Sequence, residues 1–383
     1  MECQIKRPAC ADLFAAGDEK PEDAAPLLLS ERLSHPVNIT VRFGNSKPFQ
    51  LLYSCNKTGT VATVTGNVNG ANVNERYTYD PLQRLVNALV KTGSTTTTPS
   101  YTYDALGNRK SQTLNTTTTS YSYTLSNNEL ASSTSGSTTT TYGYDPEGRV
   151  LSRTTTPTGA HWSYNWSVQG TMLSASNSSG VQGYYGYDGL GRRVESREGS
   201  TTIFYGYTGT ETLAEGSLNP NIDYIYANGL RIARVTGASG NSPTVVYYHT
   251  DVLGSTRLVT SSTRSVLFSD GYQPFGQNNG TPAGSETYKF TGKPVSQTTG
   301  LYYDYQRWYD PSTGRFISQD PDPGILSDPQ SLNSYAYVYN DPVKRRPAEI
   351  SYRTGVLRPF AWPLLSICSR LQAQLGLNVE PES

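Results

Sequence analysis

The sequence predicts an all-β fold, a series of β-hairpins stacked edge to edge in a curved, spiralling sheet, with short termini that are poorly ordered or helical. Three observations carry this. Of the aromatic residues 29 are Tyr, against 9 Phe and 4 Trp, and Gly reaches 35; Tyr and Thr favour strands and Gly favours turns. A Tyr-x-Tyr-Asp unit recurs along the chain at a near-constant step. With 383 residues the chain exceeds the size at which single cores stop growing, so it forms two domains or one elongated array. A fixed period selects the array.

The clearest units are Tyr101-Thr-Tyr103-Asp104-Ala-Leu-Gly107-Asn-Arg109, Tyr142-Gly-Tyr144-Asp145-Pro-Glu-Gly148-Arg149 and Tyr185-Gly-Tyr187-Asp188-Gly-Leu-Gly191-Arg192. Tyr77-Thr-Tyr79-Asp80 is a fourth, with Gln83 where the others carry Gly. Worn copies extend the series, and the second aromatic position falls at 55, 79, 103, 123, 144, 164, 187, 207, 226 and 248.

Each part has a physical task. Two aromatics spaced by one residue face the same side of a strand. Asp accepts hydrogen bonds from amides just ahead of it, in an Asx-type turn. Gly three residues on supplies a positive φ. Arg is expected to lie over a neighbouring ring and to pair with an Asp of an adjacent unit. A second strand follows, so one unit of about 20 residues is one hairpin. Ten in series give roughly 20 strands and a ribbon near 95 Å wide at about 4.8 Å per strand, which must curl or split. Tyr103, Tyr144 and Tyr187 should then form a row on one face.

Several chemistries are excluded. Lys+Arg and Asp+Glu are 31 each, so the basic footprint of a nucleic-acid binder is missing. His35, His161 and His249 are scattered, and Cys3, Cys10, Cys55 and Cys368 contain no C-x-x-C, so no metal or cofactor is expected. No apolar run reaches the length of a membrane span, and Met1-Glu2-Cys3-Gln4 does not open a signal peptide.

The repeat resembles the YD repeat of rearrangement-hotspot (RHS) and teneurin-like shell proteins. Tyr247-Tyr-His-Thr-Asp-Val-Leu-Gly254-Ser-Thr-Arg257 and Asp270-Gly-Tyr-Gln-Pro-Phe-Gly276 are similar to the entry of the RHS-associated core. Arg307-Trp-Tyr-Asp-Pro-Ser-Thr-Gly314-Arg-Phe-Ile-Ser-Gln-Asp320-Pro and Ser331-Leu-Asn-Ser-Tyr-Ala-Tyr-Val-Tyr-Asn-Asp-Pro342 continue it. The resemblance implies hairpins that spiral into a partial or complete hollow shell, with the core as a plug. It also implies a secreted or cell-surface setting and, in bacterial members, an encapsulated C-terminal effector, a polymorphic toxin. The expected organisation is a non-repeat segment 1–50, a YD shell 51–246, an RHS core 247–343 and an unrelated tail 344–383. Helical patterns are expected at 20–33 and 363–375.

In toxin-bearing relatives the core cuts itself by aspartic-protease-like chemistry, and the resemblance carries Arg307 and Asp320 onto that site. A second carboxylate is expected five residues beyond Pro342, yet Pro347 stands there and Ile350 occupies the accompanying Gly position. A lone carboxylate cannot share a proton with a partner, so the site reads as vestigial. Asp310 reads as a turn residue, and His249 with Ser255 lacks an acid partner. The expectation is a non-enzymatic shell protein, truncated at the core. A carbohydrate- or cell-contact module is the second expectation and a self-cleaving core the third.

Overall fold

The computed structural model describes residues 2–4, 37–43, 46–124, 127–217, 220–237 and 242–345. The helical patterns expected at 20–33 and 363–375, and the tail beyond Arg345, lie outside them. Among the described residues there is no α-helix, only 3-10 turns at Phe290–Gly292, Pro329–Leu332 and Val338–Asn340.

The main sheet has 25 strands, all pairings antiparallel and between chain neighbours from Glu2–Gln4 to Ala283–Gly284, except that Thr95–Thr97 and Pro99–Tyr103 both pair with Leu85–Thr92. Those two end strands have one partner each, so the sheet is open. A second sheet joins Tyr302–Asp304, Arg307–Asp310 and Arg315–Phe316. The fold is therefore the all-β hairpin array expected. Strands Val37–Phe43 and Ser46–Cys55 already belong to it, upstream of residue 51. They carry no Tyr-x-Tyr, and Val41, Phe49 and Leu51 fill the inward positions instead. Strand Thr244–Thr250 runs across the 246/247 boundary.

Ten hairpins share one irregularity. Where the second aromatic pairs with the following strand, the register slips by one, as between Thr102 and Tyr103, Gly186 and Tyr187, and Gly206 and Tyr207. The same slip falls at Asn165/Trp166 and His249/Thr250. It corrects two positions of the series, which belong to Trp166 and Thr250 rather than to 164 and 248. The pattern matched Tyr as a residue type, whereas the bulge marks the position itself.

The turn chemistry is repeated closely. Asp104 Oδ1 accepts from the amides of Leu106 and Asn108 at 2.9 and 2.8 Å, and Asp145 and Asp188 do the same with their own turns. Gly107, Gly148 and Gly191 close these turns with φ of 80, 73 and 76°. The arginines differ from expectation. Arg84, Arg149 and Arg192 pair with the Asp of their own turn, Asp80, Asp145 and Asp188, at 2.6–2.8 Å. Four residues is the distance at which the turn folds the guanidinium back onto its own carboxylate. The free end of the fork then reaches the next hairpin: Arg84 Nη1 donates to the carbonyl of Asp104 and Arg149 Nη1 to that of Ser167, both at 2.8 Å. Arg84 and Arg192 lie over the rings of Tyr103 and Tyr207 as expected.

A ladder of side-chain bonds stitches hairpin to hairpin. Tyr79, Tyr103, Tyr123, Tyr144, Tyr187, Tyr207 and Tyr226 donate their hydroxyls to the carbonyls of Val61, Leu85, Arg109, Leu130, Met172, Arg193 and Thr212, at 2.7–3.2 Å. The indole of Trp166 does the same to Val150. The expected row of Tyr103, Tyr144 and Tyr187 thus sits at equivalent rungs on the core side of the sheet.

That side is covered by residues 268–343. Tyr272, Phe275, Phe290, Tyr302, Tyr309, Phe316 and Tyr337 pack with Val41, Phe49, Leu85 and Tyr101 of the early hairpins. Leu301, Tyr303, Trp308 and Ile317 pack with Tyr164, Met172 and Tyr185. Phe268 and Tyr288 pack with Tyr224 and Tyr248. Each such side chain removed from water stabilises by about 1.5–3 kcal/mol, so this seam is the principal apolar contact of the fold.

Candidate functional site

The three-stranded sheet positions the expected pair. Asp310 caps the turn after its middle strand, Oδ1 accepting from the amide of Ser312 at 2.8 Å while Gly314 N–H bonds to the Asp310 carbonyl. Asp310 is the turn residue expected, and it also faces Arg153 Nη1 at 3.6 Å. The returning strand carries the chain to Asp320, whose amide bonds to the carbonyl of Ser334.

Arg307 and Asp320 meet there, Nη2 to Oδ2, at 2.7 Å. Arg307 Nη1 donates to the Ser334 carbonyl at 3.3 Å, and the guanidinium lies 3.7 Å from the centre of the Phe316 ring. Burial holds the Arg307 guanidinium below its usual pKa, with Asp320 and Asp304 opposing that shift. Asp320 Oδ1 accepts from the Asp322 amide, so both carboxylate oxygens are engaged. Asp304 stands opposite Arg307 across the hairpin and pairs with Lys293 Nζ at 3.0 Å. The arrangement suits a brace between the Arg307 strand and the Ser334 segment. Pro347 and Ile350 lie outside the described residues.

His249 and Ser255 bond separately. His249 Nε2 meets Thr260 Oγ1 at 2.9 Å, and burial lowers the imidazole pKa to about 4. Ser255 Oγ accepts from the Thr291 amide, while Asp251 caps its own turn.

The sequence reading missed a set of buried charges along the seam. Arg109, Arg193 and Arg231 stand directly opposite Tyr103, Tyr187 and Tyr226 in the ladder, where other hairpins carry Val61, Leu85, Val150 or Met172. A cation at an otherwise apolar register position was the available signal. Aromatic faces receive each one: Arg109 lies 3.9 Å from Phe275, Arg193 4.4 Å from Tyr303 and Arg231 3.5 Å from Tyr288. Each cation comes from a hairpin and each ring from the later segment, which is how an aromatic quadrupole holds a desolvated guanidinium. Arg257 pairs with Glu75 at 3.2 Å, both side chains 4% exposed, and Tyr77 donates to the same carboxylate. Asp270 and Asp341 are also buried.

A repeat sheet sealed by an aromatic segment through inward cations defines a hairpin-repeat shell protein. A model of the teneurin YD-shell family matches residues 31–343, and the chain belongs to that family. Over 101 residues it is 36% identical to the tRNA nuclease WapA of Bacillus subtilis (strain 168), covering 25% of this chain and 4% of that protein. It is 37% identical to the toxin protein Tse5 of Pseudomonas aeruginosa, covering 26% and 7%. To the toxin subunit YenC1 of Yersinia entomophaga it is 30% identical, covering 25% and 10%. The chain thus spans a tenth or less of these relatives. A solved Photorhabdus luminescens Tc holotoxin pore aligns over 82% of this chain and 20% of that one, at 18% identity and a TM-score of 0.37.

Proposed function

We propose that the chain is a non-enzymatic scaffold in which the hairpins from Val37 to Ser261 act as the shell wall and residues 268–343 as a plug seated on its inner face. It serves, as in proteins with toxin-named relatives, to enclose or present a C-terminal effector. The observation that carries this is the seam, where wall cations meet plug rings at three separate hairpins. The paired Tyr rings face the core side and use their hydroxyls on backbone carbonyls, which favours a scaffold over a glycan-stacking platform. Arg307 and Asp320 are both engaged in bracing contacts, which supports the non-enzymatic reading.

Intact-mass measurement of the purified chain, incubated between pH 4 and 8, tests this. One persistent species of 41.8 kDa is expected. Spontaneous cleavage that Asp320→Asn abolishes would overturn it.

A further inference from the structure

The first ring of each Tyr-x-Tyr pair lies on the core side of the sheet, and the plug covers most of them. Tyr101 lies against Phe275 at 5.0 Å, Tyr185 against Trp308 at 4.6 Å and Tyr224 against Tyr288 at 5.1 Å, and these three wall rings are buried. The cover has a gap. Tyr121 and Tyr142 belong to hairpins between the cluster that holds Tyr101 and the one that holds Tyr185. Both are half-buried, and among the described residues neither meets a ring of the plug. Trp162 stands two strands on from Tyr142 in the same row of the sheet and is half-buried as well.

A charged pair sits in this gap without closing it. Arg153 holds the register position between Tyr142 and Trp162, its guanidinium 5.6 Å from the centre of the Trp162 ring. Asp310, on the turn of the plug, brings Oδ2 to 3.6 Å from Arg153 Nη1, beyond the length of a hydrogen bond. Asp310 Oδ1 is held by the amide and hydroxyl of Ser312, which leaves Oδ2 to face the gap. Arg153 donates no side-chain hydrogen bond to a described residue. The groups beside the pair are neutral hydroxyls: Thr140 and Thr155 meet at 2.8 Å, and the Tyr142 hydroxyl stands 3.4 Å from Ser133 Oγ. Two opposite charges held just short of contact each keep bonding capacity for a third group.

We propose that this gap binds one neutral pyranose residue, its vicinal hydroxyls bridging Arg153 to Asp310 and its C–H face against the Tyr142 ring. A hydroxyl accepts and donates at once, so two adjacent ones take from the guanidinium and give to the carboxylate in a single contact. The charged pair is neutral as a unit, and a charged ligand would leave one charge unmatched in a part-buried site. Half-exposed rings with a few convergent polar groups on an inward-facing surface suit a small ligand. The bonding ladder between hairpins uses the second ring of each pair, whereas this site uses a first ring, so it goes beyond the scaffold reading and leaves it intact.

The test is titration of the full chain with D-glucose, D-galactose, D-mannose and N-acetyl-D-glucosamine, read by calorimetry and by tryptophan emission. At least one should bind with a Kd of about 1 mM, ordinary for so small a ligand. Arg153→Met keeps the apolar stem beside Trp162 and removes the donors, and should weaken binding by about tenfold or more. Asp310→Asn keeps an acceptor for Ser312 and removes the charge, and should weaken it by a similar factor, about tenfold. Trp162→Phe should remove most of the emission change while the calorimetric signal persists. Circular dichroism and melting temperature of each variant should match the unsubstituted chain. Failure of all four sugars to bind at about 50 mM overturns the proposal. So does a bound sugar indifferent to both Arg153→Met and Asp310→Asn, or binding of D-glucuronate or guanosine in preference to every neutral sugar.

Discussion

The hydroxyl of Tyr207 donates to the backbone carbonyl of Arg193 at 2.7 Å. Arg193 opens the second strand of the preceding hairpin, opposite Tyr187, where the bulge interrupts the ladder. The next hairpin thus satisfies an acceptor that the sheet itself leaves open. Tyr207→Phe keeps the ring and removes only that donor, so urea unfolding should show a loss of about 1–2 kcal/mol. A loss within error of zero would mean that water reaches the carbonyl instead.

Asp188 holds its turn through two amide bonds and an ion pair to Arg192. Asp188→Ala should cost about 1–2 kcal/mol by the same measurement, comparable to losing a helix cap. Asp188→Asn keeps an acceptor oxygen for both amides and should lose less than half of that.

The Glu75–Arg257 pair ties an early hairpin to a late one, 182 residues apart. Arg257→Met leaves Glu75 buried beside a single remaining donor, Tyr77, and should destabilise by about 3–5 kcal/mol. Adding Glu75→Leu removes the stranded charge and should recover a large part of that loss. A double variant as unstable as the single would show that packing, rather than charge, is decisive.

Stability should also respond to mild acid. Burial raises the pKa of Asp270 and of Asp341 to about 6 from a usual 3.8, with Lys289 and Arg257 opposing at the first, Arg345 and Lys344 at the second. The nearest cations stand well back, Lys289 Nζ at 4.0 Å from Asp270 Oδ2 and Arg345 Nε at 3.9 Å from Asp341 Oδ2. The folded pKa lies above the unfolded one, so the stabilising contribution is complete below about pH 4 and is lost as pH rises through 6. Buried His249, its pKa lowered to about 4, works in the opposite sense below about pH 6.5, so the carboxylates are read by difference. Relative to a chain with Asp270→Asn and Asp341→Asn, the unsubstituted chain should gain melting temperature as pH falls from 8 to 5, and identical profiles for the two would contradict this assignment.

Much of the fold was legible because each hairpin announces itself locally. The turn at Asp104, the glycine at 107 and the same-side rings of Tyr101 and Tyr103 follow from strand and turn geometry alone. The contact between hairpins was not legible, since no single unit reveals which carbonyl its outer Tyr will meet. Trp166 and Thr250 escaped for a related reason: the bulge defines the position, and several residue types can occupy it. Arg149 folding back to Asp145 was open to inspection, because four residues separate Asp from Arg in three of the four clear copies, and Asn108 takes the Arg place after Asp104. The meeting of Arg307 with Asp320 followed from the family resemblance. The buried cations at 109, 193 and 231 gain meaning only once Phe275, Tyr303 and Tyr288 arrive from far along the chain.

Those distant contacts change how the array should unfold. A row of hairpins touching only its neighbours would fray one unit at a time from its ends. Here Arg315 bonds to Asn108 across 207 residues, Tyr335 to Gly148 across 187 and Tyr303 to Arg193 across 110. No hairpin between 108 and 193 can peel away without breaking the seal that its distant neighbours share. The seated plug therefore converts a linear array into a single cooperative unit, and the loop closures this demands should make folding slow and late to commit.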